Sequence, residues 1–204
     1  MPADPTSDFF GLLGALLEAR VDFAVVGGTA AVLHGASTAT YDLDIVMPFS
    51  EANCARLLMA VAGKNPRLSH TADKRALTLG ANELASFRNL YLTTDLGRLD
   101  VLGSLPPVGD AAEVLANAVL MQLDEEHSVR VVSLEMLIEV KAALGRPKDK
   151  QVEVELRAIA VRLGKRLLRS VRPLLPRFSG ARGMFMGAAG GSSRTRRQVT
   201  SSGA

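Results

Sequence analysis

The sequence predicts an α/β (α+β) fold: a short mixed sheet with flanking helices and a helical C-terminal part. Three observations carry this. The short runs DFAVVGG, TYDLDIVM, RLDVLG and VRVVS are rich in β-branched or alternating residues, and amphipathic stretches at helical spacing lie between them. The segment SFRNLYLTTDLGRLDVLG reads as two strands around a tight turn at Asp95 to Gly97. After Ser133 the pattern is helical only, up to about residue 162. A hydrophobic content of 48% is enough to bury a core.

In chain order, residues 8–20 (DFFGLLGALLEAR) predict an amphipathic helix with Asp8 as a favourable N-terminal charge. DFAVVGG predicts a strand ending in glycine. TAAVLHG predicts a short helix that Gly35 stops. TYDLDIVM alternates polar and apolar residues, which is a strand pattern, and Pro48 ends it. Ser50 and Glu51 open the helix SEANCARLLMAVAG. Residues 64–85 predict a short strand or two. SLPPVGD reads as a loop, and a helix follows near 110–117. VRVVS predicts a strand. LEMLIEVKAALG predicts a helix with Ser133 as N-cap and Gly145 as its stop. Residues 149–162 form the last predicted helix.

The net charge of +3 hides an asymmetry: the first 163 residues hold 15 basic and 21 acidic side chains, and residues 164–204 hold nine basic and none acidic. The expected organisation is a domain over 1–163 and a basic, low-complexity, disordered tail over 164–204. The tail suits phosphate contacts but lacks an aromatic stacking platform, so a solvated extension is the other reading. No apolar run reaches the roughly 20 residues of a membrane span. The first residues lack the basic start of a signal peptide, so the cytoplasm is the expected compartment. Cys54, the single cysteine, excludes an internal disulfide or a cysteine metal cluster and reads as a buried thiol.

The chemistry concentrates between Gly27 and Val46 (GGTAAVLHGASTATYDLDIV). This is neither a P-loop nor a dinucleotide fingerprint, because the Gly-Lys-Ser/Thr ending and the third glycine are missing. Asp42 and Asp44 stand two apart in a predicted strand, which puts both on one face. Like charges there repel. Two readings follow: both face solvent on an edge strand, or a cation lies between them. All-oxygen ligation by carboxylates suits Mg²⁺ or Mn²⁺. Asp100, in RLDVLG, is a third strand acid. Beside the first strand it would make three carboxylates converge, and two metals about 4 Å apart could clamp an in-line phosphoryl or nucleotidyl displacement. Gly27 and Gly28 would then let the backbone approach a polyphosphate. Amides around Thr29 and the Thr29 hydroxyl would add donors. Arg98 is expected to face away from Asp100 and not to pair with it. His34 reads as a packing or C-cap residue, and His70 and His127 are assigned nothing.

These residues resemble the nucleotidyltransferase superfamily with the polymerase-β-type core, whose pattern is an apolar residue, Gly-Gly or Gly-Ser, a spacer of about ten residues, Asp-x-Asp or Asp-x-Glu in a strand, and a third Asp later. VDFAVVGGTAAVLHG and TYDLDIV are most similar to the small bacterial abortive-infection-type toxin nucleotidyltransferases. VVSLEMLIEVKAALGRPKD is similar to that family's second half. The resemblance spans roughly residues 8–160. It implies a nucleotidyltransferase-type sheet, metal binding by Asp42, Asp44 and Asp100, and activation of the attacking hydroxyl by Asp100. It also implies nucleotide contacts from Gly27, Gly28, Thr29 and Lys141, with Asp149 orienting nucleotide or Lys141. Read without it, Lys141 is a solvated lysine near a helix end and Asp149 an N-cap. Thr29 stands where many relatives have Ser, and Thr38 where many carry Arg. The implied function is a Mg²⁺-dependent transfer of an NMP from an NTP to a hydroxyl on RNA, protein or a small molecule. The implied partners are the NTP and, for a toxin-type enzyme, an antitoxin protein. The alternative is a non-catalytic nucleotide- or RNA-binding protein on the same fold.

Overall fold

The computed structural model describes residues 8–170, with side chains through residue 164. Helix α1 (Phe9–Glu18) starts where the Asp8 carboxylate accepts the Gly11 amide at 2.8 Å, and it buries Leu12, Leu13 and Leu16. Strand β1 (Ala24–Val25) runs directly into helix α2 (Gly27–Leu33), so the helix begins at the glycine pair itself. Strand β2 (Asp42–Val46) and helix α3 (Glu51–Val61) follow, α3 being capped by the Ser50 side chain on the Asn53 amide. Asn53 is buried and ties three segments together. Its oxygen accepts the Asp22 amide at 2.8 Å, and its nitrogen donates to the carbonyls of Asp22 and Pro48, each at 3.0 Å.

Residues 64–85 hold one short strand, β3 (Arg67–Leu68), and then a single helical turn, α4 (Ala81–Leu84). The hairpin is β4 (Asn89–Thr94) and β5 (Gly97–Leu102), as its turn signal predicts. The expected loop SLPPVGD instead pairs its ends as β6 (Ser104–Leu105) and β7 (Gly109–Asp110), and Asp110 caps helix α5 (Ala111–Ala116). Strand β8 (Val119–Gln122), which the pattern did not predict, pairs antiparallel with β9 (Ser128–Val131). Helix α6 (Leu134–Leu144) runs from the Ser133 cap to Gly145, and helix α7 (Pro147–Ser170) continues beyond residue 163. The change of composition at Gly164 therefore falls inside a helix, and the rest of the tail expected over 164–204, residues 171–204, lies outside the described residues.

The main sheet has seven strands in the order β3-β4-β5-β2-β1-β9-β8. It is mixed: β2 is parallel to β5 and antiparallel to β1, and β1 is parallel to β9. Leu43, Ile45, Leu90, Leu92, Leu99 and Val101 alternate onto one face and are 0–2% exposed. Each such burial contributes about 1.5–3 kcal/mol. A one-residue slip would expose all six and drive the acids between them into the core, so the register is strongly held. No described helix is long and apolar enough to cross a membrane.

Candidate active site

The other face of β2 and β5 carries the acids. Register pairs Asp44 with Asp100, and Asp42 with Arg98. On the far side of β5, Tyr91 pairs with Asp100 and Thr93 with Arg98. Neighbouring strands lie about 4.8 Å apart, so Asp44 and Asp100 are immediate neighbours and Asp42 sits one pleat away. The expectation that Arg98 faces away from Asp100 is wrong. Residues two apart in a strand share a face, and Arg98 lies beside the acids, its Nε 3.6 Å from the Asp42 carboxylate.

Charge crowding is visible in the ionisation of the pair. Asp44 is pushed up to about 6, first by burial and then by the Asp100 and Asp42 charges, against the Gly28 amide and Lys141. Asp100 is also raised, first by burial, and partly relieved by Arg98 and His70. One Asp100 oxygen, Oδ1, is buried with no hydrogen-bond donor. A buried oxygen left without a donor is costly, and a cation is the complement it lacks.

The glycine pair lies against these acids. Gly27 has a left-handed φ of 63°, and a Cβ there would collide with the Asp44 carboxylate. A Cβ on Gly28 would lie 2.7 Å from the Thr40 hydroxyl. The Gly28 amide donates to Asp44 Oδ2 at 3.3 Å. Gly27 therefore makes room for Asp44 and Gly28 for Thr40, as well as opening the cleft. Thr29 is not brought into the cleft: it is buried, and its hydroxyl donates to the Asp42 carbonyl at 3.1 Å. Its position two residues into α2 turns it under β2, where it braces the backbone of Asp42.

Lys141 is not a solvated lysine. It lies in the last turn of α6, only 8% exposed, and its Nζ donates to Asp149 Oδ1 at 2.9 Å. Asp149 is 1% exposed, and its second oxygen faces the Arg146 Nε at 3.4 Å. Two cations thus face one buried carboxylate, which leaves local positive charge. A cleft of about 1520 Å³ joins Gly27, Gly28, Asp42, Asp44, Asp100, Lys141 and Asp149. Sequence reasoning missed Arg98, Arg146, His70 and Tyr91, which line it too. The Arg98-x-Asp100 spacing could have revealed Arg98. No local signal marks His70, whose ring stacks on Tyr91 at 4.0 Å between centroids. His34 caps α2 and its Nε2 lies 2.8 Å from the Val132 carbonyl, a packing role as expected.

Among the described residues no group of three or more His, Cys, Asp or Glu forms a ready-made metal cage. Asp42 is engaged instead by the Arg98 Nε at 3.6 Å. Mg²⁺ does not need such a cage: it commonly takes one or two carboxylates, its own waters and substrate phosphates. Asp44 with Asp100 and its orphaned oxygen fits that demand.

No protein-family model and no curated protein matches this chain. Solved structures similar to it include a Thermotoga maritima protein described as a nucleotidyltransferase, at 18% identity and a TM-score of 0.45, covering 79% of this chain and 93% of that one. The antibiotic-resistance factor ANT(2″)-Ia in solution is similar at 14% identity and a TM-score of 0.46, covering 79% and 91%. ANT(2″)-Ia in complex with adenylyl-2″-tobramycin is similar at 15% identity and 0.39, covering 73% and 94%.

Proposed function

We propose that this protein transfers a nucleoside monophosphate from an NTP to a hydroxyl acceptor. The observation that carries the reading is the in-register pair Asp44–Asp100 on parallel strands, facing a cleft that also holds the glycine pair and Lys141. Asp44 and Asp100 would hold Mg²⁺ or Mn²⁺, with Asp42 on the same face. The cation supplies charge neutralisation on the phosphates. Lys141, steadied by Asp149, meets the phosphate oxygens with a fixed positive charge. Gly27 and Gly28 leave the backbone free of side chains where the polyphosphate would lie. The acceptor oxygen attacks the α-phosphorus, the bond to the bridging oxygen breaks, and pyrophosphate leaves. Asp100 takes the acceptor's proton.

RNA is the acceptor to test first, and a toxin role within a toxin–antitoxin pair is the biological form of this reading. The test incubates the protein with Mg²⁺, each α-labelled NTP and pooled RNA, with Asp44→Asn alongside. Label on RNA or protein, lost by at least about a hundredfold in the variant, is expected. A toxin would also arrest growth on expression, and Asp44→Asn would relieve the arrest. The Arg98–Asp42 ion pair favours the second reading, binding without turnover. NTP binding with no labelled product from RNA, protein or a panel of hydroxylated small molecules would select it.

A further inference from the structure

The cleft has two unlike halves. On one side of Asp100 lie β2, the glycine pair and Lys141, the half assigned above to the NTP. On the other side lie β4 and the segment after β3. Their contributions are Ser69, His70, Lys74, Asn89, Tyr91 and Thr93. No carboxylate lines this half among the described residues, since the cleft's acids are Asp42, Asp44, Asp100 and Asp149. At about 1520 Å³ the cleft exceeds the roughly 300–1,000 Å³ usual for one small ligand, so a second molecule has room.

The second half is built around a flat surface. The His70 and Tyr91 rings stack at 4.0 Å with 20° between their planes. Tyr91 stands in register with Asp100, and the Ser69 amide donates to the Tyr91 carbonyl at 2.9 Å. The Ser69 and Thr93 hydroxyls bond each other at 2.9 Å beside it. One face of the imidazole lies on Tyr91, and the residue is otherwise exposed. An aromatic step one strand from the reacting carboxylates, with hydroxyls and Lys74 around it, suits a planar ring carrying hydroxyl and phosphate groups.

We propose that the His70–Tyr91 ring pair is the acceptor subsite, where a planar heterocyclic base stacks and its sugar hydroxyl is held at Asp100. This rests on the transfer reading for the role of the bound molecule. The ring recognition itself can be tested separately. A polycationic acceptor would find no carboxylate in this half to pair with, whereas a nucleotide unit finds a stacking surface and positive charge.

The chain has two tyrosines and no tryptophan, so in Tyr41→Phe protein the tyrosine emission comes from Tyr91 alone. With the NTP half filled by Mg²⁺ and non-hydrolysable analogues of the four NTPs, this protein is titrated with AMP, with CMP and with ribose 5-phosphate. An oligoribonucleotide and its copy with an abasic 3′ terminus extend the comparison from a free nucleotide to a chain end. Ring-bearing probes should change Tyr91 emission and bind at least about tenfold more tightly than ring-less ones. His70→Ala should remove about that factor and His70→Phe should restore it, while analogue affinity changes by much less than that factor in both. Equal binding of ring-bearing and ring-less probes, or a His70→Ala loss confined to the NTP analogues, overturns the proposal. If no analogue binds but the ring preference persists, the transfer reading fails and the stacking subsite stands.

Discussion

Replacing Asp44 by Asn should stabilise the metal-free protein while abolishing transfer. In the folded chain Asp44 is pushed up from 3.8 to about 6, chiefly by burial and by Asp100. A shift of that size corresponds to about 3 kcal/mol of unfavourable ionisation. The sign follows from which state keeps the proton longer. Below pH 3.8 the carboxyl is protonated in both states and costs nothing. Between 3.8 and about 6 the unfolded chain ionises first, so stability falls as pH rises. Above 6 the cost is complete. Asn can still accept the Gly28 amide, but its NH₂ group needs a partner that Asp44 did not, at a cost of about 1–2 kcal/mol. The net gain at pH 8 is therefore about 1–2 kcal/mol, or roughly 3–6 °C in Tm for a chain of this size. The assay is thermal unfolding of both proteins in EDTA at pH 4, 5, 6 and 8. The gap should be absent or reversed at pH 4 and reach a plateau above pH 6. Saturating Mg²⁺ should raise the wild-type Tm and leave the variant unmoved. A variant no more stable at pH 8 than at pH 4, relative to wild type, would refute the reasoning.

Lys141→Met should cost about 3–5 kcal/mol, because Asp149 would stay buried against the more exposed Arg146 alone; denaturant unfolding should show most of it regained in Lys141→Met/Asp149→Leu. Gly27→Ala should lose about 1–3 kcal/mol by urea melt, since its φ of 63° and the nearby Asp44 carboxylate both oppose a Cβ. Arg98→Gln should change stability by under about 1 kcal/mol, as befits a half-exposed ion pair. It should nonetheless tighten Mg²⁺ binding measured calorimetrically, because Asp42 is released toward the cation.

The elements that carry the site were legible because their signals are local. Alternation in TYDLDIV and RLDVLG marks β2 and β5 and the shared face of Asp42 and Asp44. Ser50 and Ser133 cap the helices they precede. Strand β8 was missed because VLMQ has no alternation and gains its identity only by pairing with β9. Thr29 was placed in the cleft because it opens the helix after the glycine pair, but the rotation of α2 turns it beneath β2.

What the sequence determined by itself is which side chains face together along each strand, since a period of two is a property of the backbone. It also set where the capped helices α1, α3 and α6 start and where glycine replaces a Cβ. Tertiary structure alone decided that β2 and β5 are parallel neighbours, which brings Asp100 beside Asp44 across 55 intervening residues. It alone buried Lys141 against Asp149 and set the His70 ring on Tyr91. Strand partners and helix packing are fixed by the burial of aliphatic faces over the whole chain. The pKa of Asp44 comes from that same burial, so no window of sequence contains it.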